Sequence, residues 1–117
     1  MIKLTEDLLR SMYDMLTHTE PFNKWNLPDS EDVNFKVMSH KTAYGYYVFE
    51  DDGHTIMLSR DWNGLLGTAI NTMAHEMIHM HQRHSCVKSS NKSVHDAAFK
   101  KLAAEVCAIH GFDPKAF

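Results

Sequence analysis

The sequence predicts an α+β fold: a small antiparallel sheet packed with an N-terminal helix, a helix carrying H-E-x-x-H and a C-terminal helix. Three observations predict it. Apolar residues recur at helical spacing near the N-terminus and again in two segments after residue 60. Between residues 33 and 59 the period shifts to two, and the composition turns aromatic and β-branched. The intervening stretches are short and rich in Pro, Gly, Ser, Asn and Asp. The order helix, sheet, helix, loop, helix is that of helices packed on a small sheet.

The first helix starts after Thr5, whose hydroxyl can cap free N–H groups, with Glu6 and Asp7 at the positive end of the helix dipole. Leu8, Leu9, Met12 and Leu16 supply its apolar face. Residues 19–32 hold two prolines among polar residues and read as a loop. Val33, Phe35 and Val37 then alternate with Asn34, Lys36 and Met38 as a strand. "AYGYYVF" (43–49) is the second strand and "TIMLS" (55–59) the third. Between them "EDDGH" is a turn, with Asp52-Gly53 expected at positive φ. Residues 61–83 form the next helix, with Leu66, Ile70, Met73 and Met77 as its stripe and Asp61 or Asn63 as its cap. Gly64 and Gly67 weaken its first turn. After a serine-rich loop (85–93), a helix over 94–110 carries Phe99, Leu102, Val106 and Ile109 on one face, and Gly111 terminates it.

A length of 117 residues suits one domain, 1–117, with a single modest core. No apolar run approaches the roughly 18 residues that a membrane span needs. The N-terminus is acidic and amphipathic and lacks an apolar h-region, so a cytoplasmic protein is expected. Cys86 and Cys107 are isolated, which excludes a zinc ribbon built from them; both are expected as reduced thiols, at least one of them in the core. The net charge of −3 gives no general attraction to nucleic acid, although residues 63–117 carry six Lys/Arg against four Asp/Glu.

Four of the nine histidines fall within "MAHEMIHMHQRHS" (73–85). His75 and His79 lie one turn apart on one helix face, so their imidazoles can share one Zn²⁺. Glu76 is about 100° around from His75 and can reach a water in the open coordination position. Zinc lowers the pKa of such a water toward ~7, and a carboxylate beside it can take the proton as the water attacks a carbonyl.

A third ligand is needed. His81 and His84 lie about 200° and 140° around the helix from His79, and both are expected as exposed side chains. His95, four residues before Phe99, shares the apolar stripe of the last helix, which must pack against the helix bearing His75 and His79. Glu105 is the rival, but it lies about 120° from Phe99 on the polar flank. His95 is therefore preferred.

"TMAHEMIHMH", a polar loop and then His95-Asp96-Ala97-Ala98-Phe99 resemble the SprT-like metallopeptidases, the Spartan-type group. "HTIMLSRDW" (54–62) is similar to the family's strand ahead of the active-site helix, and the resemblance spans roughly residues 35–112. Asp96 stands where the family more often has Gly. The resemblance implies a zincin-like fold and a zinc-dependent endopeptidase, with Zn²⁺ on His75, His79 and His95 and general acid/base work at Glu76. Relatives of Spartan type cleave proteins crosslinked to DNA. This sequence shows neither the family's cysteine zinc ribbon nor its long basic tail, so the expectation is a bare catalytic core.

The competing reading is a non-enzymatic zinc module that binds DNA or protein; a base beside an open metal position speaks for the enzyme. The expected partner is a protein or peptide substrate. Weak single-stranded DNA binding through Arg83, Lys88, Lys92, Lys100 and Lys101 is a further expectation. Tyr44, Tyr46, Tyr47 and Trp62 are available to stack on bases where exposed. The strands between Val33 and Ser59 are expected to border the metal cleft and hold an extended substrate by main-chain pairing.

Overall fold

The structure, a computed structural model, describes residues 1–84 and 95–117. Helix α1 spans Glu6–Thr17. The Thr5 hydroxyl caps it, accepting from the Leu8 N–H at 3.1 Å, with Glu6 and Asp7 in the first turn. Its buried face is Leu9, Met12, Tyr13 and Leu16. The 19–32 loop contains two short 3-10 turns, Phe22–Lys24 and Ser30–Asp32. Tyr13 anchors that loop. Its hydroxyl donates to the Pro28 carbonyl, and its ring meets Phe35 edge-on at 5.4 Å.

Three strands follow: β1 (Val33–Met38), β2 (Gly45–Glu50) and β3 (Gly53–Ser59). Their order is β1-β3-β2, with β3 parallel to β1 and antiparallel to β2. The sheet is therefore mixed, which corrects the antiparallel sheet expected from the sequence. Ile56 and Leu58 of β3 are fully buried, in keeping with its central place. The chain leaving Met38 passes to the far edge to form β2 and returns by a hairpin to lie between its two predecessors. Alternation identifies which side chains face the core and carries no information on strand order. The hairpin turn also shifts by one residue. Asp51 and Asp52, not Gly53, take positive φ (51° and 58°), as a two-residue turn between twisted strands requires.

Helix α2 spans Leu66–His84, starting five residues later than expected. Asp61 does not cap it; its Oδ2 accepts from Ser39 Oγ at 2.7 Å and the His40 N–H at 2.9 Å. Met73, Ala74, Met77, Ile78 and Met80 are fully buried. That wide apolar face lets α2 pack against β2, β3, α1 and a last helix, α3 (Ala97–His110).

Asp96 caps the start of α3: its side chain accepts from the Phe99 N–H at 2.9 Å. Gly111, at φ 77°, ends it in the left-handed conformation, as expected. Phe99 and Val106 are buried on the expected stripe, but Ile109 is exposed and Cys107, a free thiol, is buried instead. His110 fixes the far end of α3 to the loop, with Nε2 2.7 Å from the Glu20 carbonyl. No helix among the described residues is long and apolar enough to cross a membrane. The expected 85–93 loop, with Cys86, Lys88 and Lys92, lies outside the described residues.

Candidate metal centre

α2 and the residue ahead of the α3 cap bring three imidazoles together. His75 and His79 project from one face of α2, with ring centroids 5.1 Å apart. His95 meets both, at 5.0 Å from His75 and 5.1 Å from His79. Nε2 of His75 and Nε2 of His95 are 3.1 Å apart, and one nitrogen from each of the three rings lies within 4.8 Å of the others. The sequence places His95 on the α3 stripe, but in the structure it lies ahead of the helix. It precedes the Asp96 N-cap, and that cap fixes where the chain turns into α3.

Phe99 forms the apolar wall of the cluster. Its ring is 4.5 Å from His79, 4.9 Å from His75 and 4.7 Å from His95. The Phe117 ring lies 5.4 Å from that of His75. This enclosure holds the imidazoles of α2 neutral. Burial, with His95 nearby, pushes His75 down to about 4; burial, with His75 and His95 nearby, pushes His79 down to about 3. Neutral imidazoles are the form that ligates a metal.

Glu76, the residue after His75 on α2, is 5% exposed, and burial pushes its carboxyl up to about 8. A positive charge at the histidines would favour its carboxylate form. Gly45, the first residue of β2, backs onto this carboxylate. A Cβ there would stand 3.2 Å from Glu76 Oε2, 2.9 Å from Thr72 Cγ2 and 2.8 Å from the Met57 carbonyl oxygen. Only glycine lets the strand lie this close to α2.

The SprT-like family profile matches residues 7–116, nearly the whole chain. The chain belongs to the SprT-like family. No curated protein matches the sequence. The three-histidine cluster fits the zinc with which SprT-like proteins are associated. Tetrahedral zinc with Zn–N bonds of about 2.0–2.1 Å separates its nitrogens by roughly 3.4 Å. The 3.1 Å and sub-4.8 Å separations here bracket that value.

The remaining site expectations for this SprT-like chain divide. Glu105 is exposed on α3 and is not part of the cluster. His81, expected to be exposed, is half-buried. The face of α2 opposite the cluster meets the loop, where Trp25 stacks on His81 at 4.2 Å. Of the expected DNA-contacting cations, the Arg83 guanidinium sits over the Phe49 ring at 4.6 Å, and Lys100 and Lys101 are exposed on α3. Tyr44, Tyr46 and Trp62 are exposed, whereas Tyr47 is half-buried with its hydroxyl 2.7 Å from His54 Nδ1. Asn63, a candidate helix cap by its chemistry, is instead buried between β2, β3 and α2. Sequence reasoning also misses Gly45, whose only signal is a glycine inside a strand pattern.

Proposed function

We propose that this SprT-like chain is a zinc-dependent endopeptidase with a zincin-like arrangement, in which His75, His79 and His95 hold the metal and Glu76 is the general base. The observation that carries the reading is one juxtaposition: three imidazoles within ligand distance of one another, and a buried carboxylate on the next residue of the same helix turn. A zinc ion bound there would supply Lewis-acid polarisation of the scissile carbonyl and acidify a water toward ~7.

The chain's own residues do the rest. β2 sits at one end of the β1-β3-β2 sheet, and a Cβ on its first residue, Gly45, would stand 3.2 Å from Glu76 Oε2. An extended peptide pairing with that edge through its main chain is carried past the histidines, with a carbonyl presented to them. Glu76 takes a proton from the attacking water. It then delivers the proton to the departing amide nitrogen as the C–N bond breaks, leaving a carboxylate on one product and an amine on the other. Phe99 packs on all three imidazoles and Phe117 on His75, which lowers the polarity around the α2 histidines and strengthens the electrostatic interactions there.

A narrower form of the reading, in which the substrate is a protein bound to single-stranded DNA, draws on the exposed Lys100 and Lys101. The test is hydrolysis of a denatured protein by the zinc-loaded chain, with and without single-stranded DNA, before and after removal of the metal by a chelator. Cleavage that vanishes with the metal and returns with zinc is expected, and stimulation by DNA would add the narrower form. A chain that binds zinc tightly yet cleaves nothing under either condition would favour a non-enzymatic binding module.

A further inference from the structure

Asn63 lies in the connection between β3 and α2, where side chains usually face solvent, yet it is fully buried. A buried amide is costly unless its polar atoms are paired. Here Nδ2 donates to the Tyr44 carbonyl at 2.9 Å and the Ser59 carbonyl at 2.7 Å, and Oδ1 accepts from Thr72 Oγ1 at 2.7 Å. The Ser59 N–H donates to the same Tyr44 carbonyl at 2.9 Å. If Asn63 served only to start α2, its oxygen would accept from a first-turn N–H. Instead its bonds go to the residue ahead of β2, the last residue of β3, and a side chain four residues ahead of Glu76 on the same helix face.

Thr72 joins the two halves. Its hydroxyl reaches Asn63, while its methyl lies with Glu76 Oε2 against Gly45. We propose that Asn63 and Thr72 are positioning residues whose buried amide–hydroxyl pair fixes the start of β2 on α2. The pair thereby sets the spacing between the Glu76 carboxylate and the strand edge that receives substrate. The proposal rests on the peptidase reading above. Losing the pair leaves the edge free to bind a peptide but lets it drift from Glu76, so the effect falls on turnover and not on binding. Displacements of about 1 Å far from the reacting atoms can cost up to 10²-fold.

Two variants at Thr72 separate the hydrogen bond from the packing. Thr72→Val keeps the methyl against Gly45 and removes the hydroxyl; Thr72→Ser keeps the hydroxyl and removes the methyl. Measured per zinc-loaded site and well below the melting temperature, Thr72→Val is expected to lower kcat about ten-fold with KM changed less than about two-fold, and Thr72→Ser to stay near wild type. Independently of activity, amide hydrogen exchange at Ser59 should quicken about ten-fold in Thr72→Val and not in Thr72→Ser, with exchange in α1 unchanged. If Thr72→Val does not fold, Asn63→Ala breaks the same pair from the other side, leaves Thr72 bonded to the Thr68 carbonyl, and should show the same fall in kcat. A Thr72→Val enzyme with wild-type kcat, or a loss matched by Thr72→Ser, or faster exchange spread evenly over the core, overturns the proposal. A wild-type chain without peptidase activity overturns the peptidase reading and this proposal together, whereas an active wild type with an equally active Thr72→Val enzyme overturns this proposal alone.

Discussion

Glu76→Gln is expected to fold, to bind zinc as the wild type does, and to hydrolyse denatured protein about 10²–10⁴-fold more slowly, the usual cost of removing a general base. The amide has the shape of the carboxylate and leaves His75 and His79 untouched, so the loss should appear in kcat. Stability moves the other way in the metal-free chain. An exposed carboxyl ionises near 4.5, whereas burial raises Glu76 to about 8. The folded state therefore holds a proton that the unfolded state releases between those values, and wild-type stability falls as pH rises through that window. The amide does not ionise. Metal-free Glu76→Gln should consequently melt no lower than wild type at pH 8 and above. A glutamine variant retaining activity within a few-fold of wild type would remove Glu76 from the mechanism.

His95→Ala is expected to weaken zinc binding by about 10²-fold or more and to abolish hydrolysis, while Glu105→Ala changes neither. Loss of a partner that merely orients a ligand already costs about 10–100-fold in metal affinity, so loss of a ligand itself should cost at least that. The comparison is clean because both residues are exposed, and neither truncation opens a core cavity. His95 is within 3.1 Å of its neighbour His75, whereas Glu105 lies outside the three-histidine group. Competition with a chromophoric chelator measures the affinity directly. Release of zinc by Glu105→Ala with retention by His95→Ala would invert the ligand assignment.

The parts of the site written in local spacing are legible in the sequence itself. His75 and His79 at i, i+4 share a face wherever a helix forms, and Glu76 follows from the same geometry. The reason for preferring His95 only half holds. Its proximity to Phe99 does bring it to the cluster, but as the residue before an N-cap and not as part of the α3 stripe. Asp96 is that cap. What the sequence leaves unread depends on contacts between distant segments. β3 lies between β1 and β2, with Ile56 and Leu58 fully buried, and alternation alone does not order strands. Asn63 has the chemistry of a cap, and only the convergence of β2, β3 and α2 reveals its other use. Helical spacing sets His81 on another side of α2 from His75 and His79, and the loop bearing Trp25 covers that side.

The most direct test is a crystal structure of zinc-loaded Glu76→Gln with an uncleaved peptide bound. It should show one zinc on His75, His79 and His95 at about 2.0–2.1 Å. The peptide should run extended along the edge of β2, with one carbonyl turned to the metal and its water within hydrogen-bond reach of residue 76. Zinc held by other residues, or a peptide seated away from β2 and the three histidines, would contradict the account.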